Sequence, residues 1–248
     1  MMLDGVFKLS WIETKIFLRE PMGVVGTLFM PVVFFLIMAR FLKGVPHPTV
    51  PMGRLAFNAT ILASLLIVLG AVQSLIAIMA IYREGGILKR LRATPLAPIT
   101  ILSAHVLVKL ALTLTSFLLL VLAGRRAMPG AMPEDMPGFA AAILLGTLGI
   151  LGLGFLVASL VPTARFAQPL GAAIFYPMVA LSGLFFPVAR LPIWLRAIAE
   201  VLPTTHAVTL MRGTYEGTPW STQLGSVAAL LAIFAVCLFL ATKWFRWE

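Results

Sequence analysis

Acidic residues are scarce in this 248-residue chain, nine Asp and Glu against nineteen Lys and Arg, and charged residues make up only 11% of it. Soluble domains carry about a quarter charged residues, so an ordinary water-soluble fold is excluded. Cysteine is rarer still. Cys237 stands alone, which rules out an intrachain disulfide and a metal site built on thiolates; its place in an apolar run gives it the character of a small buried or lipid-facing hydrophobe. No GxxxxGKS or GxxxxGKT run occurs, so no phosphate loop of that kind is encoded. Also missing are a Ser/His/Asp arrangement, a metal-ligand cluster and paired carboxylates other than Glu134-Asp135 in a polar turn. An enzyme is therefore not expected, and no metal or cofactor is expected on this chain.

Apolar residues are abundant instead, 60% of the chain, and the mean hydropathy is +1.03. They gather into six runs at about 22–42, 55–81, 99–123, 139–161, 167–186 and 222–243, each near the ~20 residues that cross a bilayer as a helix. The run 55–81 is long enough to tilt or project past the bilayer. Residues 1–248 read as a single all-α transmembrane domain. A net charge of +10 would suggest nucleic acid in a soluble protein. Here the cations cap apolar runs without interleaved aromatics, so the lipid bilayer is the expected partner and nucleic acid is not.

The first twenty residues carry Asp4, Glu13 and Glu20 and lack an apolar core with a small-residue cleavage site, unlike a secretory leader. Lys8, Lys15 and Arg19 share one face and Phe7, Trp11 and Leu18 another, which predicts an amphipathic interfacial helix over 1–21. Gly146, Gly149, Gly152 and Gly154 form a small-residue run in the fourth segment, suited to close helix packing inside the bundle or at a subunit contact. Pro169 and Pro177 predict a kink in the fifth.

Between the second and third segments lies Tyr82 to Pro98, with Arg83, Lys89, Arg90 and Arg92 against the single acid Glu84. That density marks a cytoplasmic loop; an even number of spans then puts both termini on the same side. The total is less decisive, since Arg40, Lys43, Arg54, Arg125, Arg126, Arg190, Arg196 and Arg212 fall on the other side. Gly85 and Gly86 break the incoming helix, and Ile87 to Ala93 can form about two turns before Pro95 and Pro98 end them. Ile87, Leu88 and Leu91 cluster on one side of that short helix. Such a ridge needs a cover, either lipid headgroups or a partner protein.

The stretch Phe185 to Ser221 is too apolar for a solvent loop and too broken to span. Pro187, Pro192 and Pro203 divide it, and Pro192 to Val201 suits a short helix with Ile193, Trp194, Ile198 and Val201 against Arg196 and Glu200. An outer re-entrant or interfacial helical hairpin is predicted, allowed at membrane depth where protein covers it. His206 is expected to make a structural hydrogen bond rather than to relay protons. Within the spans, Asn58, Gln73, Ser74, Thr113, Thr115 and Ser116 are the polar groups that could touch a substrate or bond helix to helix. Lys109 either meets a substrate headgroup or lipid phosphate, or snorkels to the inner interface near His105. The six segments as drawn contain no Asp or Glu, which argues against an ion-coupled carrier.

Two motifs now resemble one family. REGGILKRLRATPLAP, Arg83 to Pro98, resembles the cytoplasmic coupling-helix signature of type-2 ABC (ABC-2) export permeases, and LSGLFFPVARLPIWLRAIAEVLPTTHAVTLMRG, Leu181 to Gly213, is similar to that family's outer loop. The chain departs from the pattern at Gly86-Ile87, where the family usually has Gly-Thr. The resemblance implies a permease subunit in the cell membrane, working as a dimer with a second copy or related permease and with an ABC ATPase subunit, on which ATP and Mg²⁺ are bound. It implies ATPase coupling by Arg83, Glu84, Gly85, Ile87, Leu88, Lys89, Leu91, Arg92, Thr94 and Pro95. It also implies an outer hairpin carrying Gly183, Phe185, Pro187, Pro192, Trp194, Pro203 and His206. Asn58, Gln73, Ser74, Lys109, Thr113 and Ser116 are the candidate substrate path. Family substrates are drugs, lipids, glycolipids or polysaccharide, and spans with few polar groups favour the lipophilic classes. The rival readings are an ion-gradient-driven carrier and a non-transporting scaffold.

Overall fold

The computed structural model describes residues 2–44, 52–87, 98–128, 132–161 and 163–243, and every regular element among them is helical. Helix α1 (Met2–Arg19) stops at Glu20, and Pro21 opens α2 (Pro21–Val24), where its missing N–H costs nothing. A π-helical turn, Val25–Phe29, leads into α3 (Met30–Gly44). Pro31 explains that turn: it cannot donate to the carbonyl of Thr27 four residues back. The Ser116 hydroxyl lies 3.4 Å from the Thr27 carbonyl oxygen and 3.2 Å from that of Leu28 and donates there instead.

The remaining helices are α4 (Met52–Glu84), α5 (Pro98–Ala127), α6 (Met136–Leu160), α7 (Ala164–Leu181), α8 (Ile193–Val201), α9 (Pro203–Tyr215) and α10 (Trp220–Lys243). Among the described residues, five stretches are long and apolar enough to cross a membrane: Pro21–Leu42, Phe57–Glu84, Ile99–Ala127, Met136–Ser159 and Trp220–Lys243. The fifth predicted run differs. It forms the 18-residue α7, about 27 Å long at 1.5 Å per residue and so slightly short of the ~30 Å hydrocarbon core. Arg165, Gln168, Pro169 and Pro177 dilute its apolar character. Its end also comes earlier than Phe186, because Ser182 and Gly183 turn the chain after Leu181, with Gly183 at φ +85°.

Helix α6 is the hub, packed against α4, α5, α9 and α10. Its glycines are what let it be one. A Cβ on Gly152 would lie 2.9 Å from Phe234 Cα of α10, and one on Gly154 would lie 2.7 Å from Val72 Cγ1 of α4. The glycine run thus packs inside the bundle. In α4 and α6, 61% of the spanning window is buried, against 17% in α10, so most of the apolar surface of α10 is left uncovered by the rest of the chain. Asp135 starts α6 by accepting from the Gly138 N–H at 2.9 Å.

At the opposite end of α4 from Gly86, α8 and α9 form the predicted helical hairpin, joined at Leu202. Most of α9 is buried, and the Thr204 hydroxyl donates to the Met178 carbonyl of α7 at 2.9 Å. In α8 only Ala199 is buried, and Ile193, Trp194, Ile198 and Val201 are exposed. One helix anchors the hairpin, and the other offers an apolar face outward.

Candidate functional site

The end of α4 delivers three consecutive side chains to three places. Tyr82 turns toward α1 and α5. Arg83 turns toward α6, its Nη1 donating to the Val161 carbonyl and its Nη2 to the Ala158 carbonyl at 3.1 Å. Those oxygens are at the C-terminal end of α6, where carbonyls lack helical partners and the helix dipole attracts a cation. The Arg83 guanidinium, a residue for which the resemblance implies ATPase coupling, thus reaches into the bundle, because the fourth span ends beside it. Glu84 and Ile87 are exposed. Gly85 donates its N–H to Ile81 and Gly86 to Arg83, at 2.8 and 3.0 Å, and Gly86 at φ +65° breaks the helix as predicted. Leu88, Lys89, Leu91, Arg92, Thr94 and Pro95 lie outside the described residues.

Tyr82 opens a buried polar cluster that joins α1 to the spans. Its hydroxyl donates to Glu13 Oε1 at 2.7 Å, and His105 Nε2 lies 3.7 Å from the same oxygen. Lys109, 1% exposed, donates to Ser74 Oγ at 2.7 Å and sits 5.7 Å from the centre of the Phe17 ring. Lys109 therefore does not snorkel: α1 lies across it. Ser10 also bonds across this contact, its hydroxyl 3.4 Å from the Ala104 carbonyl. Glu13 is the member of this contact that sequence reasoning missed. A signal was present, since Ser10, Glu13 and Phe17 follow at spacings of three and four and so share one face of α1, and all three are buried.

Burial pushes the Glu13 carboxyl above its ordinary value of 4.5, with the Tyr82 hydrogen bond and the Lys109 charge opposing. Because the folded value lies above the unfolded one, folding favours the protonated form. Its contribution is complete below pH 4.5 and is lost as pH rises through the folded value. Thermal stability of the parent, relative to Glu13→Gln, is therefore expected to fall as pH rises from 4.5, by at most about 1.4 kcal/mol per unit. Melting curves of the two proteins in detergent across that range check it; parallel pH profiles would contradict the assignment.

The candidate substrate-path residues separate. Gln73 packs on Gly171 of α7 and lines a cavity of about 390 Å³ between the first span, α4 and α7, with Gly26, Met30, Phe34, Gly70 and Tyr176 also on its wall. Ser74 serves Lys109, Ser116 serves the π turn, and Thr113 is fully buried. Asn58 is half-buried. Gln73 thus lines a cavity, whereas Ser74, Lys109 and Ser116 are engaged in contacts between helices.

In the hairpin, His206 Nε2 donates to the Glu200 carbonyl at 3.0 Å, which joins the end of α8 to α9. Pro203 begins α9 and is buried, whereas Phe185, Pro187, Pro192 and Trp194 are exposed. Arg212, from α9, donates to the Leu184 carbonyl at 3.0 Å and covers Phe57.

Residues 5–215 match the family profile of the ABC-2 type transporter. The chain belongs to the ABC-2 type transporter family. It is accordingly a multi-pass membrane protein, with α1 from residue 5 onward, the segment after α4 and the α8–α9 hairpin inside the family match. Among curated proteins it is similar to Nodulation protein J of Rhizobium leguminosarum bv. trifolii, 32% identical over 104 residues, or 42% of this chain and 40% of that protein. Nodulation protein J of Rhizobium meliloti (strain 1021) is 29% identical over 104 residues, and that of Neorhizobium galegae 30% over 103 residues, 37% of its length. The ABC-2 chain thus aligns with about two-fifths of the curated relatives it matches.

Proposed function

We propose that this ABC-2 chain is the permease subunit of an ATP-driven exporter, assembled as a dimer with a second copy or a related permease and powered by a separate ATPase subunit that binds ATP and Mg²⁺. The observation that carries this reading is the attachment of the segment that begins at Glu84. Immediately before it, Arg83 is tied to the end of α6 and Tyr82 to α1. A pull on Ile87, Leu88 and Leu91 by an ATPase groove would reach the hub helix and the α1 clamp within one turn of α4. In this reading the segment and both termini face the cytoplasm, as its cation density argues, and the membrane is the cell membrane.

The substrate is a lipophilic drug, lipid or glycolipid. Support comes from the cavity at Gln73, whose wall is apolar apart from that amide and the rim at Tyr176. Such a cavity suits a mostly apolar ligand oriented by few polar groups.

The test is affinity purification of the chain from its own host in mild detergent. An ATP-binding subunit is expected to accompany the parent and to be lost from Leu88→Asp/Leu91→Asp, while the variant still inserts. A well-folded parent that brings no ATPase would sink the reading, as would export that survives ATP depletion and stops only when the proton gradient collapses.

A further inference from the structure

A second groove, adjoining the Gln73 cavity at Val33 and Ile37, runs to the ends of α3 and α5 away from α1. It encloses about 980 Å³, at the upper end of the ~300–1,000 Å³ typical of ligand sites, and its trough is lined by Val33, Leu36, Ile37 and Phe41. Two cations, Arg40 of α3 and Arg126 in the last turn of α5, share its wall. Both are exposed, and neither makes a hydrogen bond or ion pair among the described residues.

The sequence offers them little neutralisation from nearby segments. No Asp or Glu occurs between Glu20 and Glu84, or between Glu84 and Glu134, so α3, its following loop and all of α5 are free of acids. Asp135 is already engaged as the cap of α6. Arg125 adds a third exposed cation beside the pair. The Gln73 cavity, by contrast, has no charged residue on its wall. Two unneutralised guanidinium groups above an apolar trough complement one kind of molecule, an anion carrying long apolar chains. Arginine forks suit phosphate oxygens, and basic pockets between membrane helices are suited to anionic headgroups.

We infer that the α3–α5 groove is a binding site for an anionic phospholipid, its acyl chains along Val33, Leu36, Ile37 and Phe41 and its phosphate held by Arg40 and Arg126. The groove adjoins the Gln73 cavity, with Val33 and Ile37 on the wall of both, but Arg40 and Arg126 line the groove alone, and the site does not depend on which end of the chain faces the cytoplasm.

The experiment is native mass spectrometry of the purified full-length chain with phosphatidylglycerol and phosphatidylcholine carrying identical acyl chains. The parent should retain the anionic lipid on the order of tenfold to thirtyfold better, the effect of two arginines near a headgroup. Arg40→Gln/Arg126→Gln should abolish that preference, each single variant should lose part of it, and Arg165→Gln on α7 should leave it intact. Since Arg40 and Arg126 are exposed and unpaired, these variants are expected to keep the parent's elution and melting behaviour, and the single variants give the answer if the double does not. Excess inorganic phosphate should not displace the lipid. Equal retention of the two lipids, a preference that survives in the variants, or displacement by phosphate alone would overturn the proposal. So would cross-linking of Leu36→Cys, which lines the groove and not the Gln73 cavity, between two chains in a Cys237→Ser background, which would place a second copy in the trough.

Discussion

Gly152→Leu is expected to lower the melting midpoint more than Arg83→Ala, Glu13→Gln or either groove arginine variant. The atom nearest its new Cβ is Phe234 Cα at 2.9 Å, with the Phe234 carbonyl oxygen and Cys237 Cβ each at 3.3 Å. Side chains can rotate away from a clash; a helix backbone cannot. Overpacking usually costs about 1–3 kcal/mol, and Leu adds three further carbons beyond the clashing one, so a cost above ~3 kcal/mol is expected. Separation of α6 from α10 would also loosen the Gly149 contact, where a Cβ would lie 2.6 Å from Leu230. Gly225→Ala on the same α10 meets nothing within 4 Å and should be neutral or slightly stabilising in a helix interior. Thermal unfolding in detergent, followed by the monodisperse fraction on size exclusion, reads both. An unchanged midpoint for Gly152→Leu would mean that α6 and α10 do not approach so closely.

Arg83→Ala should have the next largest effect, and on two readouts. Losing charged hydrogen bonds to two carbonyls costs about 1.5–3 kcal/mol for each bond fully lost, less here because Arg83 is only half-buried and water replaces part of it. A net loss of roughly 2 kcal/mol is expected. Arg83→Lys should restore little, since one ammonium cannot reproduce a planar fork that reaches Val161 and Ala158 together. On the proposed function, Arg83→Ala should leave the ATPase bound but reduce transport at least about tenfold, because the polar tie between the last turn of α4 and the end of the hub helix is lost while Ile87, Leu88 and Leu91 are untouched. That outcome differs from Leu88→Asp/Leu91→Asp, where the ATPase itself is lost. Full transport by Arg83→Ala would show that the α4–α6 tie carries no motion.

The clamp at Glu13 and the tie at Arg83 share a logic. Each fastens the end of α4 to a different neighbour through a buried or half-buried polar contact, so the segment after Gly86 begins from a position held on two sides.

Much of this architecture was legible in the residues themselves. Long apolar runs dictate helices because backbone groups in lipid must be satisfied internally. Gly86 marks a break, since glycine tolerates a backbone turn that ends a helix, and Pro203 marks a helix start because proline suits a first turn. The glycine run announced a close approach, and the proline-divided stretch announced a hairpin. All of these are local rules, readable over a few residues. What only the tertiary structure decided was non-local. Arg83 faces inward because the carbonyl end of α6 happens to lie beside it; Lys109 is buried because α1 crosses above it; Ser74 and Ser116 are occupied because Lys109 and a π turn stand opposite them. A polar side chain's partner is chosen by which unsatisfied group the fold brings near, and no spacing along the chain encodes that.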